Sequence, residues 1–165
     1  IMALTEKPCG NRVLIITSSG GSGILATDVA EGCNVDVASL SDTTKATLKE
    51  ALPSHCVVAN PLDLTGDATA ERYETALDVA IHDENIDMAL VIFGDPIPGA
   101  FEVVENLRKK TNKPVVVAYL GGGDVEKEEV AKMLAAGISA FPTPERAMRS
   151  IGALLRTKKI DARFG

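Results

Sequence analysis

Histidine and cysteine are scarce: the 165 residues include two of the former and three of the latter. Cys9, Cys33 and Cys56 are odd in number and have no Cys-x-x-Cys spacing, which argues against a disulfide framework and a zinc site and for a reducing, cytoplasmic compartment. His55 falls in a turn and His82 at a helix end, so neither sits where nucleophilic chemistry would place it. Tryptophan is absent and aromatics make up 4%, leaving little to lie against a flavin. No apolar run approaches the roughly 20 residues that cross a bilayer, and no signal-peptide pattern opens the chain. Basic residues are in the minority, 17 against 23 acidic, and a net charge of −6 is the reverse of a nucleic-acid footprint.

What is present suits one globular domain. The composition is 45% hydrophobic and 24% charged, and the length can bury a core without metals or cross-links. Ile1 is not an initiator residue, and residues 1–10 read as a linker into a domain over residues 11–157 with a polar tail, 158–165, expected to fray. The chain therefore reads as a piece of a longer protein, compatible with a homo-oligomer.

Strand and helix patterns alternate along the whole length, which predicts an α/β domain on a parallel sheet. Strands are expected at 12–17, 35–40, 56–59, 86–93, 115–119 and, short and last, 137–141; helices are expected at 22–31, 43–51, 69–82, 100–110, 125–136 and 144–155. The segment 86–93 is apolar on both faces, as in a central strand. The fold class is an open, doubly wound, flavodoxin-like sheet of three layers, with strand order 2-1-3-4-5 and the short sixth strand at the edge.

The unusual turns gather on one rim, at the carboxyl ends of the strands, where such folds bind ligands. Ser18-Ser19-Gly20-Gly21-Ser22-Gly23 follows the first strand and opens a helix. The first amides of a helix lack intrahelical partners and carry the positive end of its dipole, so this stretch is a candidate anion cradle. Plain close packing of strand on helix would also explain its glycines. Asn60, Pro61 and Asp63 form a second turn on the rim, with a capping role as the alternative. Gly121 and Gly122, then Thr143 and Glu145, complete it, Thr143 suiting an N-cap and Pro144 the first helical position. The glycine spacing does not fit a dinucleotide fingerprint, and no lysine follows to make a P-loop. An FMN-binding domain stays open, with Tyr119 as the one aromatic suitably placed. Asp42, Asp63 and Asp95 could hold a metal only if three rims converged, and no metal is expected.

Four segments together resemble one family. Arg12-Val-Leu-Ile-Ile-Thr-Ser-Ser-Gly-Gly-Ser-Gly-Ile-Leu-Ala-Thr-Asp28, Asn60-Pro-Leu-Asp-Leu-Thr-Gly-Asp-Ala-Thr-Ala-Glu-Arg-Tyr73, Lys113-Pro-Val-Val-Val117 and Thr143-Pro-Glu-Arg-Ala147 resemble, in order and spacing, the NDP-forming acyl-CoA synthetases, ADP-forming acetyl-CoA synthetase among them. The matching module is that family's second flavodoxin-like ligase domain, similar to the C-terminal domain of the succinyl-CoA synthetase β subunit. The resemblance implies a share in the reaction acyl-CoA + NDP + phosphate = acid + CoA + NTP, which runs through a phosphohistidine. It implies that Ser18 to Gly23 face that phosphohistidine, with Asn60, Pro61, Asp63, Gly121, Gly122, Thr143 and Glu145 as supporting rim. It implies partners as well: a CoA-binding, phosphohistidine-bearing domain and an ATP-grasp domain. CoA, ADP or ATP, phosphate and magnesium would serve the whole enzyme, none held tightly here. The family's histidine lies in a Ser-His-Thr-Gly segment that this chain lacks, so the isolated chain is expected to be inactive. Ser22 stands where the family often has proline. The alternative is a non-catalytic module, either the ligase-like part of a protein acyltransferase or a flavodoxin-like binding domain.

Overall fold

A computed structural model describes residues 8–164, with side chains through residue 156. The linker expected over residues 1–10 lies largely outside the described residues. The elements run β1 (Arg12–Thr17), α1 (Gly20–Gly32), β2 (Asp36–Val37), α2 (Asp42–Ala51), β3 (Leu62–Asp63), α3 (Ala70–Ala80), β4 (Met88–Phe93), α4 (Ala100–Lys110), β5 (Val115–Tyr119), α5 (Gly123–Ala135), β6 (Ser139–Phe141) and α6 (Pro144–Phe164). Among the described residues no helix is long and apolar enough to cross a membrane.

The strands pair in parallel in the order β2-β1-β4-β5-β6, and the two-residue β3 pairs with β1. This is the open, doubly wound parallel sheet expected, with the sixth strand at the edge beside β5; the third strand leaves its expected place between β1 and β4. Successive residues of a strand point to opposite faces, and the central strands feed two cores accordingly. Leu14 and Ile16 of β1 and Ala89, Val91 and Phe93 of β4 join one core, against helices α2 to α5. Val13 and Ile15 of β1 and Met88, Leu90 and Ile92 of β4 join the other, with Ala26 and Ala30 of α1 and Ala147, Met148 and Ile151 of α6. This is the three-layer sandwich predicted from apolar runs on both strand faces.

One strand moves. The segment 56–59 does not lie between β1 and β4, and only Val57 forms a bridge, antiparallel, with Asp63. The paired residues come later, at Leu62 and Asp63, which lie beside Ile16 and Thr17 on the same edge of β1 as β2. The cause is Asn60-Pro61. Proline has no N–H to give a ladder, and the Asn60 side chain takes over the pairing. Its Oδ1 accepts from the Ile15 N–H at 2.9 Å. Its Nδ2 donates to the carbonyls of Val13 at 2.7 Å and Ala38 at 2.8 Å. The carboxamide thus fills the gap along β1 between the end of β2 and the start of β3, and β2 is correspondingly short.

The last helix is longer than its pattern indicates: no proline or glycine interrupts residues 153–164, and α6 runs to Phe164 rather than ending near Leu155.

Below the sheet, Asp87 accepts from the Arg12 backbone N–H at 3.0 Å and from its Nε and Nη2 at 2.9 Å each. The guanidinium holds the Asp87 carboxyl below the usual carboxylate range, against the opposing effect of burial. A depressed folded value stabilises above the unfolded pKa of about 3.9 and is lost as pH falls through the folded value. Urea melts between pH 5 and pH 2 should therefore show stability falling with acid below about pH 4, and Asp87→Asn should fall less steeply over that window.

Candidate functional site

At the end of β1, Thr17 is fully buried, and its hydroxyl accepts from the Ser19 N–H and donates to the Ser19 carbonyl, both at 2.9 Å. That small ring turns the chain out of the sheet. Ser18 is buried, and its Oγ accepts from the Gly94 N–H at 3.0 Å, joining the β1 loop to the end of β4. Tyr73, buried on α3, donates its hydroxyl to the Ile92 carbonyl and lies within hydrogen-bond reach of Ser18. Burial pushes the Tyr73 phenol above its ordinary pKa, so it stays a donor. Thr17, Tyr73 and Gly94 were not singled out from sequence; the Tyr at the end of the Thr-Gly-Asp-Ala-Thr-x-Glu-Arg-Tyr segment was the available signal.

Helix α1 begins two residues earlier than its periodicity indicates, at Gly20, with Ser19 as N-cap in extended conformation and making no side-chain cap. The Ser22 hydroxyl donates to the Ser19 hydroxyl at 3.1 Å instead. The Gly23 N–H is taken by the Ser19 carbonyl at 3.1 Å. Among the described residues the N–H groups of Gly20, Gly21 and Ser22 meet no acceptor, as the opening of a helix without a cap requires. Gly20 and Gly21 are exposed, whereas Ser18, Ser22 and Gly23 are buried. Of the six predicted residues, the surface is thus offered by Ser19, Gly20 and Gly21 together with the Ser22 amide; Ser18 and Gly23 hold the turn in place.

Two glycines here answer to neighbours. A Cβ on Gly23 would stand 3.1 Å from Pro61 Cβ and 3.3 Å from Thr17 Cγ2, so Pro61 lies against the helix start. A Cβ on Gly20 would stand 2.7 Å from Asp63 Oδ2, which places that carboxylate beside the first helical residue. Asp63 Oδ1 meanwhile accepts from the Thr65 N–H at 2.9 Å. Gly21 has nothing within 4 Å of an added Cβ.

The rest of the predicted rim serves the scaffold. Asn60 is spent on the β1 edge. Gly121 lies against the backbone of Asp95 and Pro96, too close for any side chain, and joins the loops after β4 and β5. Gly122, with φ at +72°, caps α5, and its N–H donates to the Glu126 carboxylate. The Thr143 hydroxyl accepts from the Arg146 N–H at 3.3 Å and caps α6, with Glu145 in that helix's first turn. Tyr119 is buried and exchanges two hydrogen bonds with the Ile97 backbone, so it is not available to face a flavin. His55, expected in a solvated turn on the opposite rim, has Nε2 3.3 Å from Asp67 in the loop after β3. Among the described residues no three His, Cys, Asp or Glu side chains gather to hold a metal.

The other helix starts are closed. Ser41 accepts from the Thr44 N–H in α2, and Thr69 from the Arg72 N–H in α3. The buried Glu129 carboxylate accepts from the Phe101 N–H of α4 at 2.7 Å. Among the described residues, α1 is the one helix whose start meets neither a hydroxyl cap nor a carboxylate hydrogen bond. Its dipole end is open to an anion from outside.

The family described as the Ligase-CoA domain matches residues 13–164. The chain is 34% identical to the ADP-forming acetate–CoA ligase I of Archaeoglobus fulgidus over 99% of its own length and 23% of that protein. It is 34% identical to the α subunit of the ADP-forming acetate–CoA ligase I of Pyrococcus furiosus over 95% of its length and 35% of that subunit. The apo structure of the dinucleotide-forming acetyl-coenzyme A synthetase 1 of Ca. Korarchaeum cryptofilum superposes with a TM-score of 0.86 at 26% identity, over 94% of this chain and 35% of that one. The same enzyme's complex with phosphate and ADP gives 0.85 at 27% identity over the same shares. The chain therefore spans about a quarter to a third of the length of these relatives.

Proposed function

The chain belongs to the Ligase-CoA domain family, and on that premise we propose that it serves an ADP-forming acyl-CoA ligase as the domain that receives a phosphorylated histidine from a neighbouring domain. The observation that carries this reading is the open start of α1. A phosphohistidine is a transferable anion. Three convergent amides and a helix dipole stabilise its charge without a lysine, and they do so from fixed positions that need no rearrangement during transfer. The reaction of the whole enzyme would be acyl-CoA + ADP + phosphate = acid + CoA + ATP. This chain's share is to hold the phosphoryl oxygens on the N–H groups of Gly20, Gly21 and Ser22.

Asp63 fits the same assignment. A carboxylate beside the first helical residue disfavours a free phosphate dianion. It favours a phosphate that arrives on a group with a proton to donate, and the second ring nitrogen of a phosphohistidine is such a donor when the ring is protonated. Asp63→Asn should therefore bind inorganic phosphate more tightly than the parent, by titration calorimetry, while transferring phosphate more slowly.

The deciding experiment uses the full-length ligase that contains this domain. Incubation with ATP should give acid-labile, base-stable phosphate on the protein, and an intact enzyme that takes up no label would sink the assignment.

A further inference from the structure

Four large apolar side chains are exposed among the described residues: Ile24 at 62%, Leu25 at 46%, Val57 at 53% and Leu134. Three of the four lie on the two segments that meet beside the open helix start. Ile24 and Leu25 follow directly on the uncapped amides, in α1. Val57 lies on the turn that carries Pro61, and Pro61 lies against Gly23. Leu134 is elsewhere, at the end of α5.

The outward side of α1 is divided along its length. From Gly20 to Thr27 there is no charged residue, and the exposed positions are Gly20, Gly21, Ile24 and Leu25; from Asp28 to Glu31 the exposed positions are acidic. A helix that faces water throughout carries charges along that face. This one is apolar where its dipole is open and acidic where it is not. Scattered exposed aliphatics need no explanation, but aliphatics gathered around one polar opening mark a contact surface.

We propose that Ile24, Leu25 and Val57 form the docking surface for the neighbouring domain that brings the phosphorylated side chain, a proposal that rests on the assignment of the α1 start above. The occupant must offer an anion with apolar side chains beside it, because the surface offers free amides with aliphatics beside them. A second copy docked through its own α1 start would set free amides against free amides and the Asp63 carboxylate against its equal, with no phosphate between them. The curated relatives supply a candidate of the right size, since this chain spans 23% and 35% of two of them and the remainder is further polypeptide. Aliphatics pressed against a partner beside the opening would also exclude water from the anion, which strengthens the amide contacts.

The test compares the 165-residue chain with the full-length ligase. Ile24→Gln with Leu25→Gln is neutral and keeps helix-forming residues. In the isolated chain the pair should leave the melting temperature and the binding of inorganic phosphate unchanged. In the full-length enzyme it should slow the appearance of acid-labile phosphate from ATP by about tenfold or more, and Val57→Gln, on a different segment, should slow it too. Hydroxyl-radical footprinting should show Ile24 and Leu25 protected in the full-length enzyme and reactive in the isolated chain. Equal reactivity in both, or unchanged transfer in the double variant while Gly21→Leu is slow, would overturn the docking surface and leave the phosphate assignment standing. Unchanged transfer in both variants would remove the phosphate assignment as well. A dimer of the isolated chain that the glutamines abolish would give the surface to a second copy and overturn the proposal.

Discussion

Gly21→Leu is expected to reduce phosphoryl transfer in the full-length ligase by about 100-fold or more, with the domain as stable as before. The position is the second residue of α1, exposed, with open space around an added Cβ. Leucine is a better helix former than glycine by roughly 0.5–1 kcal/mol, so the urea midpoint should hold or rise slightly. The side chain would project from the surface where the amides of Gly20, Gly21 and Ser22 converge and keep the phosphoryl oxygens from reaching them. Loss of a single preorganised donor costs on the order of 100- to 1000-fold elsewhere, and this change obstructs a set of three. Single-turnover labelling with ATP measures the rate, and a denaturant melt of the same variant checks the fold. Normal labelling would reduce the glycine turn to a packing device.

Asn60→Ala should do the opposite: leave the α1 surface chemically intact and destabilise the domain. Its carboxamide serves the Ile15 N–H and the Val13 and Ala38 carbonyls. Removing it leaves three backbone groups of the sheet without partners. At about 1–3 kcal/mol for each unsatisfied group, less where water can enter, the loss is about 3–5 kcal/mol, a large part of a typical domain's 5–15. Asn60→Asp is a sharp control. A carboxylate can still accept from Ile15 but must face two carbonyls without a proton to give, so it should be no better than alanine. Equilibrium urea unfolding with an unchanged m-value would give the numbers. A stable but inactive Asn60→Ala would instead make Asn60 a ligand contact.

These two residues also mark what could be seen in the sequence. Strands β1, β4 and β5 were legible because a central parallel strand is apolar on both faces, a signal carried within six consecutive residues. The Ser-Gly turn was legible as the opening of a helix because the signals of a helix start are local. The third strand was not, because its pairing is done by the Asn60 side chain against residues 45 and 47 positions away. The same contact shortens β2, since Ala38, which alternation assigns to the strand, gives its carbonyl to Asn60. Nor could the rim be divided in advance into residues that face a ligand and residues that build the loops. Gly121 looks as open as Gly21 in the sequence, yet it lies against the Asp95–Pro96 backbone. Ser18 looks as available as Ser19, yet its hydroxyl is committed to Gly94. Such differences are set by neighbours distant in sequence.

The closed starts of the other helices have a consequence for how an anion would arrive. The chain carries a net charge of −6, and Glu126 and Glu129 occupy the starts of α5 and α4. To a small anion diffusing in from solvent the molecule is repulsive, and the one uncapped helix start among the described residues has the Asp63 carboxylate beside it. Capture from dilute solution is therefore disfavoured. A phosphate group carried on a tethered neighbour meets a different situation, because a tether supplies an effective concentration on the order of millimolar whatever the bulk level. An acidic surface with one gap then acts as a discriminator. On the proposed assignment it would turn away the phosphate and nucleotides free in solution and admit a phosphoryl group delivered at close range.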